Sequence, residues 1–403
     1  MVLKAVAENQ PQCPVAHAVE HQNRMSFYRP FEPLVTRLRE FIRTSGARVG
    51  HETAPGGGSP DHFETLTREL FELQNQHNPA YARICAHMGK TPDRMSRWHD
   101  LPFVPTQSFK DLELTSLPPG LRSHVFHSSG TTGQTPSRHF HSSESLAIYE
   151  LSLLTWFKAH LSPGQTRLRL LPLTPAPDAA PHSSLVHMFD TLGRELSASP
   201  APFQFLGKVD EAGGWQLDLP SIDTALAAAC DAGEPVWLMG TAFNFVHWAD
   251  TLTHGRRRFQ LPPGSKVMET GGYKGRSRSL PKEELHGLLA DRLGVGAHDI
   301  LCEYGMSELS SQAYDWPVNE GESRRREFRF PPWARCRVIS PETGREADPG
   351  SVGILQILDL ANVFSVMAIQ TEDLVRRAGD AFQWVGRASD AESRGCSLMS
   401  TAS

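Results

Sequence analysis

Hydroxyls and glycines crowd into one short run, His127-Ser128-Ser129-Gly130-Thr131-Thr132-Gly133-Gln134-Thr135-Pro136-Ser137. Glycine lets a chain turn and approach an anion closely, and the hydroxyls of Ser128, Ser129, Thr131 and Thr132, with free amides beside them, can cradle phosphate oxygens. The spacing is not G-x-x-x-x-G-K-[ST], and no G-x-G-x-x-G follows a strand, so neither a P-loop nor a dinucleotide fold is indicated. Composition alone fits a Ser/Thr/Gly turn equally well. His124, His127, His139 and His141 surround the run without a Cys or carboxylate at ligand spacing, which argues against zinc. His127 can instead hydrogen-bond a phosphate or a carboxylate.

Cys396 stands between Gly395 and Ser397, with Arg394 two residues before it. A free thiol ionises near pH ~8.5, so little is thiolate at neutral pH, and a nearby guanidinium raises that share. A lone cysteine at this place can equally be incidental. Lys274, in the Gly-rich Glu269–Gly275 turn, and Lys110, after Phe109, are compact cations suited to phosphate or, alternatively, solvated loop lysines.

Such groups need elements to hold them. Residues 1–22 are aperiodic, and Ala54-Pro55-Gly56-Gly57-Gly58-Ser59-Pro60 is turn chemistry. Between them Phe31, Leu34, Leu38, Phe41 and Ile42 recur at helical spacing, as do Phe63, Leu66, Leu70 and Leu73 beyond, so the first hundred residues are predicted helical. From about residue 120, β-type runs at 167–173, 236–239, 266–268, 300–303 and 353–358 alternate with helical stretches at 221–232, 243–251 and 281–293. That alternation predicts βα units and a largely parallel sheet. Phe243, Phe245 and Trp248 suit core packing or a substrate wall, and the triple arginines 256–258 and 324–326 read as solvated faces.

With 39% apolar residues in 403, the chain can bury a large core, which excludes disorder and collagen. Forty basic against forty-five acidic residues leave a net charge of −5, no footprint for nucleic acid, so a small ligand is expected. No stretch approaches the roughly 20 apolar residues of a membrane span. Six scattered cysteines, without a C-x-x-C pair or secretory signal, predict a reducing, cytoplasmic setting.

Three later segments join the first run in a recognisable order. Glu303-Tyr304-Gly305-Met306-Ser307-Glu308, Gln370-Thr371-Glu372-Asp373 and Gly386-Arg387-Ala388-Ser389-Asp390 resemble, with Ser128–Gly133, the motifs of the adenylate-forming superfamily of acyl-CoA synthetases, luciferases and peptide-synthetase adenylation domains. The resemblance implies an α/β large domain of mixed and parallel sheets flanked by helices. It also implies that Ser128, Ser129, Gly130, Thr131, Thr132 and Gly133 bind phosphates, Tyr304 meets adenine, Glu308 holds Mg²⁺, and Asp373 with Arg387 grips ribose. Glu372 replaces the usual glycine. Only thirteen residues follow Asp390, too few for the superfamily's mobile C-terminal domain with its catalytic lysine, so coenzyme A would lose its docking site.

More narrowly, Val104–Lys110, Phe126–Gly133, Glu269–Gly275 and Arg394-Gly395-Cys396-Ser397 resemble the LuxE acyl-protein synthetase family. That resemblance implies division into 1–60, 61–390 and a tail 391–403 carrying the acyl acceptor Cys396. It implies ATP and Mg²⁺, activation of a carboxylic acid, fatty by family habit, and delivery to a partner protein such as a reductase. Lys274, then Lys110, would replace the missing lysine. The alternatives are a ligase that acylates a partner thiol or amine directly, and a nucleotide-binding protein without catalysis.

Overall fold

The computed structural model describes residues 25–48, 60–128, 135–165, 167–197, 203–211, 213–271, 280–320 and 323–388. Its amino-terminal part is helical, as the periodicity predicts: α1 (Glu32–Arg48), α2 (Pro60–His77) and α3 (Pro79–His87). The apolar stripe of α1 and α2 lies in the main core, with Phe31, Ile42, Phe63 and Leu70 at most 1% exposed. Asn78 separates α2 from α3 because its side chain caps the Tyr81 amide at 3.1 Å and Pro79 opens the next helix.

Strand β1 (Val104–Pro105) and the short α4 (Ser108–Asp111) lead to a hairpin of β2 (His124–His127) and β3 (Arg138–His141). Next come α5 (Ser143–His160), β4 (Arg169–Pro172), α6 (Ser184–Leu196), a small hairpin of β5 (Gly207–Val209) and β6 (Trp215–Leu217), and α7 (Leu219–Ala232). Strands β7 (Val236–Thr241), β8 (Lys266–Thr270) and β9 (Ile300–Tyr304) then alternate with α8 (Ala242–His254) and α9 (Lys282–Leu293). Successive strand side chains point to opposite faces. Thus Val236, Leu238, Val267 and Ile300 share a core with Phe245 and Trp248 of α8 and Leu285 of α9, whereas Trp237, Met239 and Met268 join the α5 side. Phe245 and Trp248 are core residues, and Phe157 of α5 meets Trp237 at 5.3 Å between ring centroids.

The remaining strands are β10 (Ala313–Glu320), β11 (Ser323–Arg329), β12 (Ala334–Ile339), β13 (Val352–Asp359), β14 (Ala368–Ala378) and β15 (Ala381–Arg387). One 11-stranded sheet runs β12-β13-β14-β15-β11-β10-β9-β8-β7-β4, with β1 added to β14. The prediction of a largely parallel sheet is corrected here. Among the described strands only β4, β7, β8 and β9, and β1 against β14, pair in parallel. Beyond Tyr304 the strands pair with one another antiparallel, and a turn as tight as Ala378 to Ala381 cannot carry the crossover that a parallel pair needs. Among the described residues no helix is long and apolar enough to cross a membrane.

Candidate active site

Two strand ends and a hairpin meet at the carboxyl end of β9. Tyr304 closes that strand, and its hydroxyl donates to Asp373 Oδ2 of β14 at 2.7 Å. The ring packs edge-on against Phe382 at 5.2 Å and against Phe328 and Phe330. Burial, then the neighbouring Asp373, pushes the phenol well above its ordinary ionisation range. Arg387 Nε lies 3.5 Å from Asp373 Oδ1 and its side chain is 47% exposed, so it can follow a ligand. Tyr304, Asp373 and Arg387, separated by up to 83 positions in sequence, therefore form one contact chain.

Glu308 follows within the next turn. Ser137 donates its hydroxyl to Glu308 Oε1 at 2.5 Å, and Ser307 donates to Oε2 at 2.9 Å. Asn362 Nδ2 donates to the Glu308 carbonyl at 2.8 Å, while Asp359 accepts from the Ser310 amide and the Ser311 hydroxyl just beyond. His139 Nδ1 donates to the Ser307 carbonyl at 2.8 Å, and burial holds that imidazole neutral, with its pKa down at about 4. The Ser/Thr/Gly run is joined at its base: the Ser128 amide donates to the Ser137 carbonyl, and the Ser137 amide to Ser128 Oγ. Ser129, Gly130, Thr131, Thr132 and Gly133 lie outside the described residues, as do Lys274 and Cys396.

Glu308 is 5% exposed, and among the described residues no Lys, Arg or His forms an ion pair with it. A carboxylate removed from water without a cation is costly, and its hard oxygens beside two hydroxyls suit Mg²⁺. The residues present thus fit that ion.

Segment 104–110 lies beside the Asp373 strand. Val104 pairs with Ile369, Pro105 with Gln370, and the Thr106 amide donates to the Gln370 carbonyl. Gln107 donates to Glu372, so the residue that departs from the superfamily glycine has a partner from another motif. Lys110 follows Phe109, whose ring meets His139 edge-on at 6.5 Å.

Sequence reasoning missed two buried clusters. Glu303, next to Tyr304, accepts from Thr270 of β8, and burial raises its carboxyl to about 7. On the opposite strand face, Cys302 Sγ donates to Glu269 Oε1 at 3.0 Å, with His286 Nε2 3.5 Å and Lys282 Nζ 3.2 Å from the same oxygen. Arg326 bonds Asp315 and donates to His286 Nδ1 at 3.1 Å, so it is no solvated face; that expectation is corrected. Glu269, His286 and Cys302 converge as a metal trio would. Lys282 already supplies the cation, however, and Arg326 claims the Nδ1 lone pair, leaving the proton on Nε2 where a metal would need the free lone pair. A charged residue inside the apolar β8 run, and Lys282 and His286 one helical turn apart, were the available signals.

The fold is similar to that of solved ligase structures. An open conformation of 2-hydroxyisobutyryl-CoA ligase with 2-HIB-AMP and CoA is 15% identical, with a TM-score of 0.55 over 84% of this chain and 80% of that one. The same ligase in its thioesterification state gives a TM-score of 0.57 at 15% identity over 83% and 69%. An ATP-bound RpMatB-BxBclM chimera is 19% identical with a TM-score of 0.44 over 67% of this chain, which spans only 48% of that one. No curated protein matches the sequence. Residues 63–402 match the family described as Acyl-protein synthetase, LuxE, and the chain belongs to that family.

Proposed function

We propose that the protein is an AMP-forming carboxylate ligase that loads an acyl group onto its own Cys396. The observation that carries this reading is the junction of Ser128 and Ser137, Glu308, Tyr304, Asp373 and Arg387 at one strand end. A carboxylate oxygen of the acid bonds the α-phosphorus of ATP, the link to the β-phosphate breaks, and pyrophosphate leaves. The protein aligns the reactants and screens charge. Ser128 to Gly133 would hold phosphates, Asp373 and Arg387 the ribose, and Tyr304 the base. Glu308 would hold Mg²⁺, which supplies charge neutralisation on the phosphates. Lys274, with Lys110 second, would face the carboxylate and α-phosphate.

Cys396 then gives up its proton, its sulfur bonds the acyl carbon, and AMP departs with the former carboxylate oxygen. Three other thiols are poor rivals. Burial pushes Cys85 and Cys336 up to about 12 and, with Glu269 adding to it, Cys302 well above its ordinary value. A fatty acid and a partner reductase in the cytoplasm complete the proposal.

Intact-mass measurement with Mg-ATP and a mixed pool of carboxylic acids tests it. A hydroxylamine-labile adduct on wild type, absent from Cys396→Ser, is expected and identifies the acid by mass. AMP release only when a partner protein is added would instead mean transfer in trans. ATP binding without pyrophosphate exchange for any acid would mean a non-catalytic nucleotide-binding protein.

A further inference from the structure

We infer that Ser137 is a positioning residue that orients Glu308 for the divalent cation and couples that carboxylate to the base of the phosphate run. The inference rests on the reading of Glu308 as the Mg²⁺ carboxylate. Ser137 is 1% exposed and uses three polar groups at once. Its hydroxyl donates to Glu308 Oε1 at 2.5 Å, its amide to Ser128 Oγ at 3.0 Å, and its carbonyl accepts from the Ser128 amide at 3.3 Å.

A carboxylate offers about four lone-pair positions. Ser137 takes one on Oε1 and Ser307 one on Oε2, which sets the carboxylate plane and leaves positions for a cation. The two hydroxyls are not equivalent. Ser307 precedes Glu308 in the same turn and moves with it, whereas Ser137 comes from the far stem of the run, 171 positions away. Ser137 therefore ties the direction of the Glu308 carboxylate to Ser128, with which its backbone is paired. Hydrogen-bond partners of ligating carboxylates typically contribute about 10- to 100-fold to metal affinity.

Titration calorimetry of ATP into the full chain, in EDTA and in Mg²⁺, tests this on wild type, Ser137→Ala, Ser137→Thr and Glu308→Gln. Wild type is expected to bind Mg-ATP more tightly than metal-free ATP. Ser137→Ala should lose at least about tenfold of that Mg²⁺-dependent gain, while metal-free ATP affinity stays within about twofold. Ser137→Thr, which keeps the hydroxyl, should restore the gain. In the Glu308→Gln background, Ser137→Ala should cost nothing further, a coupling that a packing defect would not produce. An unchanged Mg²⁺ gain in Ser137→Ala, or equal losses with and without Mg²⁺, overturns the inference and leaves the functional reading standing. A wild type whose ATP binding ignores Mg²⁺ overturns the metal role of Glu308, and this inference with it.

Discussion

Two buried carboxylates, Glu308 and Glu269, sit near the carboxyl ends of neighbouring strands with similar companions and opposite electrostatics. Glu308 has two serine hydroxyls and, among the described residues, no cation, whereas Glu269 has a thiol, an imidazole and the Lys282 ammonium. Burial alone would raise Glu269, but Lys282 and then His286 outweigh it and hold the carboxyl at about 2. The second cluster has closed its charge balance from within, and on the proposed reading the first leaves it to a ligand. The same buried carboxyl group thus makes a structural lock in one place and, as proposed, a binding position in the other.

Neutralising the two carboxylates should separate them most sharply. Glu308→Gln is expected to slow acid-dependent pyrophosphate exchange at least about 100-fold, or about 2.7 kcal/mol, with unchanged urea stability. Glu269→Gln should do the reverse by leaving Lys282 unpaired. Broken buried pairs cost about 3–5 kcal/mol, and the lower end applies because Lys282 is 31% exposed. Loss of stability in Glu308→Gln, with activity retained, would cancel the contrast.

Acid should dismantle the two regions in different windows. His139 has its pKa lowered from 6.5 to about 4, so the unfolded chain binds the extra proton first. Its contribution to stability is complete above about pH 6.5 and falls as pH drops toward 4, by at most about 3 kcal/mol. Glu269, lowered from 4.5 to about 2, loses its contribution only between those values. Glu303, raised from 4.5 to about 7, acts in the opposite sense, with stability lost as pH rises through 7, and partly masks the His139 slope. The difference between wild type and His139→Asn in urea midpoint against pH isolates it. A difference that does not narrow between pH 6.5 and 4 would remove His139 from this account.

The parallel half was readable because the apolar runs of β4, β7 and β8 are each followed by a helix of its own period, and the Glu303–Glu308 segment ends the next apolar run. Of the antiparallel half only β13 was, as the 353–358 run; β11 and β14 mix Arg, Glu and Gln among their apolar residues, so no clean alternation announces them. Arg326 looked solvated because sequence gives no sign that Asp315 lies across the β10 to β11 hairpin. For the site, sequence named Tyr304, Glu308, Asp373 and Arg387, and showed Ser137, His139 and Gln107 only as members of motifs; the structure adds their partners and Asn362. These pairings act across strands that only the fold makes neighbours.

Gln107→Ala offers a finer adjustment at the rim of the first region. Its bond to Glu372 is exposed, so a stability change within about 0.5 kcal/mol is expected, as for most surface substitutions. An ATP affinity reduced more than about tenfold, which is about 1.4 kcal/mol, would move this pair from the rim to the nucleotide.

The smallest expected effect is the most discriminating for Glu269. If Lys282 and Arg326 satisfy that cluster, dialysis against EDTA should leave the melting temperature of wild type unchanged, because no bound ion contributes to folding there. A fall of several degrees, reversed by Zn²⁺ and abolished in Cys302→Ser, would mean that Glu269, His286 and Cys302 hold a metal and that Lys282 yields its place to it. For that to happen Arg326 would have to release His286 Nδ1, since an imidazole bound through Nε2 carries its proton on Nδ1. The guanidinium cannot accept that proton, so the two arrangements exclude each other, and the chelator result decides which one the folded chain adopts.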